Sequence, residues 1–74
     1  MIVSIFGQIE EAAAEYMLTK HPDECRKITT DTFPPRALCP EIWTNKRGDA
    51  VKFAILVPKK LEQEYHNVVS GLYA

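Results

Sequence analysis

Several features that would assign this sequence to a particular class of protein are missing. Only two cysteines occur in 74 residues, which is too few for a disulfide scaffold. With His21 and His66 they match no zinc-finger or paired-cysteine spacing. The longest apolar run, Phe53–Val57, is far shorter than the ~20 residues that a membrane-spanning helix needs, and no basic leader precedes Ile2–Phe6. We therefore expect no membrane segment and no metal. Cys25 and Cys39 are expected to be free thiols in a reducing cytoplasm, a single disulfide being the alternative.

Glycine is scarce, and no catalytic motif is present. The three glycines stand far apart, so the chain has no loop that would cradle a phosphate. A catalytic nucleophile needs a neighbouring base and a third group that orients the base. Cys39 with a histidine is the only conceivable pair, and nothing in the sequence brings the two together. We predict that the protein is not an enzyme, with no catalytic residues and no cofactor.

Neither sign of charge dominates the chain. The formal net charge is -1, which gives no global attraction to nucleic acid or to a membrane. The charges are nevertheless segregated, because residues 26–60 carry eight Lys or Arg against three Asp or Glu while both ends are acidic. Either the basic middle and the acidic ends attract each other within the fold, or the middle offers a basic surface to an acidic partner.

The first third of the chain predicts a strand followed by a helix. Ile2–Phe6 is rich in β-branched residues and apolar on both faces, which favours an interior strand. Gly7 then interrupts the strand, and Pro22 ends the following helix near Lys20. The apolar residues between them recur with helical spacing and are expected to face the core: Ile9, Ala12, Ala13, Tyr16 and Met17.

The rest of the chain predicts an edge strand, a loop, a hairpin and a second helix. Arg26–Asp31 has one strongly apolar residue and suits an edge strand. Three prolines in Thr32–Glu41 indicate a packed loop. Trp43–Val57 predicts a hairpin that turns at residues 45–48 and becomes buried on both sides towards its end. Pro58 opens an amphipathic helix that is expected to stop at Gly71.

Together these elements predict one small α+β domain over residues 1–74. The expected order is β-α-β-β-β-α, with a mixed or antiparallel sheet of three to four strands and both amphipathic helices on one face.

The function that best fits this composition is a small non-catalytic protein-binding module. A phage-type regulator or inhibitor that docks on a larger protein has this size and style, and a homodimer is also possible. Large aromatic residues and arginine dominate the energetics of protein interfaces. The candidate partner-binding residues are therefore Phe33, Arg36, Trp43, Lys46 and Arg47.

The alternative is nucleic-acid binding through the basic hairpin. Single-strand binders combine stacking aromatic rings with cationic side chains. Trp43 is the only tryptophan, and it stands close to several cations in the sequence. The cations of this alternative surface are Lys46, Arg47, Lys52, Lys59 and Lys60.

Overall fold

Strands and helices alternate along the chain in the computed structural model, which describes residues 1–74. Two short 3-10 turns, Thr30–Thr32 and Lys59–Leu61, complete the secondary structure. The elements are β1 (Ile2–Ile5), α1 (Gln8–Lys20), β2 (Arg26–Ile28), α2 (Pro40–Trp43), β3 (Phe53–Leu56) and α3 (Glu62–Tyr73). The predicted α+β class is confirmed.

The sheet has three strands in the order β1-β3-β2, and both pairings are antiparallel. Val3 lies opposite Ile55, and Lys27 lies opposite Ile55 from the other side. The prediction of β2 as an edge strand is confirmed, whereas the prediction of β1 as an interior strand is wrong. β1 is apolar on both faces for another reason. The helices cover one face, and residues 29–52, which we call the connecting loop, pack on the other through Ser4 Oγ, which donates to the Ile42 carbonyl at 2.9 Å.

The hydrophobic core lies between the sheet and the two long helices. Both helices pack on the same face of the sheet, as predicted. The nine core residues contain no polar or charged side chain apart from the tyrosine hydroxyl and the cysteine thiol. They are Ile5, Ala13, Ala14, Met17, Cys25, Phe53, Ile55, Val57 and Tyr65.

The buried stripe of α1 differs from the predicted one by a rotation of the helix. Ala13 and Met17 are buried as expected, but Ala14 is buried in place of Ala12. Tyr16 is exposed. Its hydroxyl accepts a hydrogen bond from Lys20 Nζ at 3.1 Å, and its ring lies under the same ammonium group. An amphipathic tyrosine is thus satisfied outside the core, and the small alanines allow α1 to approach the sheet closely.

The predicted hairpin is present only at its turn. Gly48 has a φ of +89°, and its N–H donates to the Asn45 carbonyl at 3.1 Å, which confirms the turn and its glycine. The first arm contracts to a single bridge between Thr44 and Ala50. Trp43 lies in α2 instead of a strand, because Pro40 at the first helical position starts a helical turn that ends at Trp43.

The last helix runs further than the sequence pattern suggests. The predicted left-handed stop at Gly71 is wrong, because α3 continues to Tyr73 and Gly48 is the only residue with positive φ. A glycine costs a helix only about 1 kcal/mol relative to alanine, so a glycine does not by itself end a helix. None of the helices is both long and apolar enough to cross a membrane.

Candidate functional site

Three of the five predicted anchor residues form one cluster on the connecting loop. The rings of Phe33 and Trp43 meet edge to face at 5.2 Å, and the Arg36 guanidinium lies over the Trp43 ring at 5.3 Å. Trp43 Nε1 donates to the Pro34 carbonyl at 2.9 Å, which fixes the indole against the proline segment. Trp43 and Phe33 are half-buried and Arg36 is exposed. The cluster therefore presents an aromatic body, held in place by contacts within the chain, with a cation on top.

The other two predicted anchors lie at the turn that follows Trp43. The Asn45 side chain accepts hydrogen bonds from the N–H groups of Arg47 and Asp49 at 3.0 and 2.9 Å, and this holds the turn. Arg47 is 86% exposed, and its nearest carboxylate, that of Asp49, lies 3.9 Å away. Lys46 is exposed and makes no ion pair. The five residues Phe33, Arg36, Trp43, Lys46 and Arg47 are referred to below as the loop surface.

The cations of the nucleic-acid alternative are partly used within the fold. Lys52 Nζ bonds to the Glu11 carboxylate at 2.9 Å, and Lys60 pairs with Glu24. Lys59 has no ion pair and lies near the start of α3 instead of on the loop surface. Acidic residues of the first third of the chain thus pair with cations of its middle within the fold, which is the first of the two interpretations of the charge pattern.

A second surface, absent from the sequence-based candidates, lies along β1. A groove of about 440 Å³ opens there, lined mostly by apolar side chains from β1 and α2. We call it the edge groove; its lining residues are Ile2, Val3, Ser4, Phe6, Cys39, Glu41 and Ile42. Apolar concave sites with a few polar groups are the usual form of binding pockets.

Next to this groove the sheet has an uncovered corner. Ile2 and Leu56 lie opposite each other on the face away from the helices and are 57% and 36% exposed. Arg26 continues the same row on β2. The prediction that β3 becomes buried on both sides towards Val57 is therefore wrong. The connecting loop covers the middle of that face, where Ala54 is fully buried, and leaves the end at Leu56 open.

The densest cluster of titratable groups joins α1 to α3 and lies away from both surfaces. His21 Nε2 donates to Glu64 Oε2 at 2.8 Å, because a carboxylate can only accept, and Lys20 lies 3.5 Å from the same oxygen. The hydrogen bond from His21 is the main cause that lowers the pKa of Glu64. The hydrogen bond from Lys60 likewise lowers the pKa of Glu24. These contacts are satisfied ion pairs that connect helix ends.

The two cysteines lie on opposite sides of the sheet and are both free. Cys25 is buried in the core, and burial raises the pKa of its thiol. Cys39 is half-buried at the edge groove. No group of three or more His, Cys, Asp or Glu side chains is placed to hold a metal ion.

The edge groove escaped sequence reasoning because its residues come from distant segments, Ile2–Phe6 and Cys39–Ile42. One signal was present in the sequence, since β1 is apolar on both faces. A strand of four residues is too short to show whether it lies at the centre or at the edge of the sheet. Comparison of the chain with family models, with curated proteins and with solved structures gives no match.

Proposed function

We propose that the protein is a non-catalytic binding module whose loop surface docks on a larger protein. The observation that carries this proposal is the cluster of Phe33, Arg36 and Trp43, which is accessible at the surface and is formed by contacts within the chain itself. Anchors of this type dominate interface energies, and a preformed geometry lowers the entropy lost on binding. A regulator or inhibitor that acts by occupying a site on its target, in a reducing cytoplasm, fits this size and build.

The partner face that fits the loop surface is acidic. Arg36 and Lys46 have no ion pair, and Arg47 has only a distant one. Other lysines of the chain, such as Lys52 and Lys60, are already bonded to carboxylates. Complementary charge accelerates association and fixes orientation, whereas the aromatic body supplies the buried contact. A carboxylate-bearing, partly apolar patch on the target has both properties.

The proposal favours a protein over a single-stranded nucleic acid because the indole of Trp43 is already engaged. Arg36 covers one of its faces, Phe33 meets its ring, and the ring nitrogen is bonded to the backbone. Base stacking needs a free aromatic face. We expect oligonucleotide binding to be undetectable at low salt. Binding that weakens steeply as salt rises would support the nucleic-acid alternative instead.

The test is a quantitative affinity capture with matched variants. The bait proteins are the wild type, the double variant Arg36→Ala/Arg47→Ala and the control Lys59→Ala, which removes an exposed cation elsewhere on the chain. We expect an acidic protein to be retained equally by the wild type and the control. Its affinity for the double variant should fall by roughly tenfold or more. Equal retention by all three baits, or retention by none, would contradict docking through the loop surface.

A further inference from the structure

The outer edge of β1 has unpaired backbone groups. Met1 and Val57 exchange two hydrogen bonds, since the Met1 nitrogen donates to the Val57 carbonyl and the Val57 N–H donates back. Hydrogen-bonded and non-hydrogen-bonded residue pairs alternate along an antiparallel ladder. The backbone N–H and C=O groups of Val3 and Ile5 therefore point towards β3, whereas those of Ile2 and Ser4 point away from it. No backbone or side-chain partner from the connecting loop reaches these four groups.

Although β1 has only four residues, this edge lacks the charged side chains and prolines that normally prevent strands from pairing. Natural edge strands carry lysines, prolines or bulges, or are very short. The other edge, β2, has three residues and presents Arg26 and Lys27 to solvent. By contrast β1 holds no charged side chain and no proline, and Ser4 is its only polar residue. Two copies of β1 therefore meet without like-charge repulsion.

We propose that the occupant of this edge is a second copy of the same chain, paired antiparallel through β1 about a two-fold axis at Val3. The outward groups of Ile2 then bond to those of the second copy's Ser4, and the reverse, which gives four backbone hydrogen bonds in a self-complementary register. The two three-stranded sheets join into one sheet of six strands. This interface does not include the loop surface and does not rest on the proposed docking function.

Side chains on the outer face fit the same register. Ile2 of one copy stands opposite Ser4 of the second copy and diagonal to its Phe6, which places the exposed Ile2 side chain against the second copy's edge groove. Each copy thus contributes the apolar side chain that the other's groove receives.

Sedimentation equilibrium of the complete chain over a wide concentration range gives the first test. We expect the mass to rise from 8.4 kDa to twice that value with concentration. Ile2→Lys introduces an edge charge and should weaken association by at least tenfold, whereas Leu72→Lys on the exposed side of α3 should leave it unchanged. A mass of 8.4 kDa at every concentration, or equal association of the two variants, would overturn the proposal.

A second comparison isolates the backbone contribution at Ser4. Ser4→Pro removes the outward N–H without touching the ladder to β3, and Ser4→Ala removes only the hydroxyl bonded to Ile42. We expect the proline variant alone to be monomeric while its circular dichroism matches that of the alanine variant. Amide exchange at Ile2 and Ser4 should slow as the wild-type concentration rises. Rapid exchange at both amides in a dimeric sample would mean that another surface pairs, and would refute this register.

Discussion

The two isoleucines of β1 differ in environment although they stand on the same strand. Ile5 is fully buried against the helices, and Ile2 is 57% exposed on the other face. Ile5→Ala should lower the free energy of unfolding by about 2 to 5 kcal/mol, because it leaves a cavity in a core of nine residues. Ile2→Ala should cost less than about 1 kcal/mol in dilute, monomeric samples. Urea denaturation followed by tryptophan fluorescence measures both, and similar losses would contradict the assigned faces.

The two thiols are expected to differ in reactivity for the same reason of placement. Cys25 is in the core and its pKa is raised by burial, so little thiolate forms and reagents reach it only when the chain opens. Cys39 lies half-buried at the edge groove. Iodoacetamide at neutral pH should alkylate Cys39 first, as peptide mass analysis will establish. In the Cys39→Ser variant labelling should be slow until denaturant is added, and rapid labelling of that variant would contradict the buried position of Cys25.

At the scale of the secondary-structure elements, alanine substitutions at two glycines, one in the turn and one in the last helix, should change the stability of the fold in opposite directions. Gly48 has a φ of +89°, and a side chain there strains the backbone, so Gly48→Ala should destabilise the fold by about 1 to 2 kcal/mol. Gly71 is helical, and a methyl group added to its Cα would meet no other atom within 4 Å, so Gly71→Ala should stabilise the fold by about 0.4 to 1 kcal/mol. Thermal unfolding of both variants beside the wild type reads out the opposite signs. A destabilised Gly71→Ala would return Gly71 to the role of a helix stop.

How far the sequence predicts these elements depends on the range of the interactions that form them. Helix α1, the turn at Gly48 and the edge position of β2 follow from local signals, namely helical spacing, a turn glycine and a strand with a single strongly apolar residue. The position of β1 and the place of Trp43 do not. They depend on where the connecting loop packs, which is decided by contacts such as that between Ser4 and Ile42 across distant segments. The cluster of Phe33, Arg36 and Trp43 joins residues of one segment, whereas the edge groove joins two segments that are distant in the sequence and was therefore not foreseen.

The contact between α1 and α3 makes the free energy of unfolding depend on pH in the acidic range. The pKa of Glu64 in the folded chain lies below the ordinary value of 4.5, mainly because His21 donates a hydrogen bond to it. Near and below pH 4.5 the Glu64 carboxyl binds a proton more readily in the unfolded chain than in the folded chain. The stabilisation that its contact with His21 contributes is therefore complete above pH 4.5 and is lost as the pH falls through the lower pKa of the folded chain. Urea titrations at successive pH values should therefore give a shallower acid slope for Glu64→Gln. Glu15→Gln, an exposed site without an ion pair, is the control, and a wild-type slope in Glu64→Gln would refute this contact.

At the scale of the whole molecule, stability and association are expected to be linked. Only ten of the 74 residues are buried, so the core of a single copy is small and a second copy adds apolar contact where Ile2 is exposed. Anything that binds the folded chain alone raises its apparent stability with concentration. For a dimer, each tenfold rise in concentration contributes about 1.4 kcal/mol per two chains. That corresponds to a rise in Tm of about 3 to 6 °C for a chain of this length. Calorimetry of the wild type should follow this dependence, while Ile2→Lys should melt at one temperature at all concentrations. A wild-type Tm that does not change with concentration would show that the open edge of β1 remains unpaired.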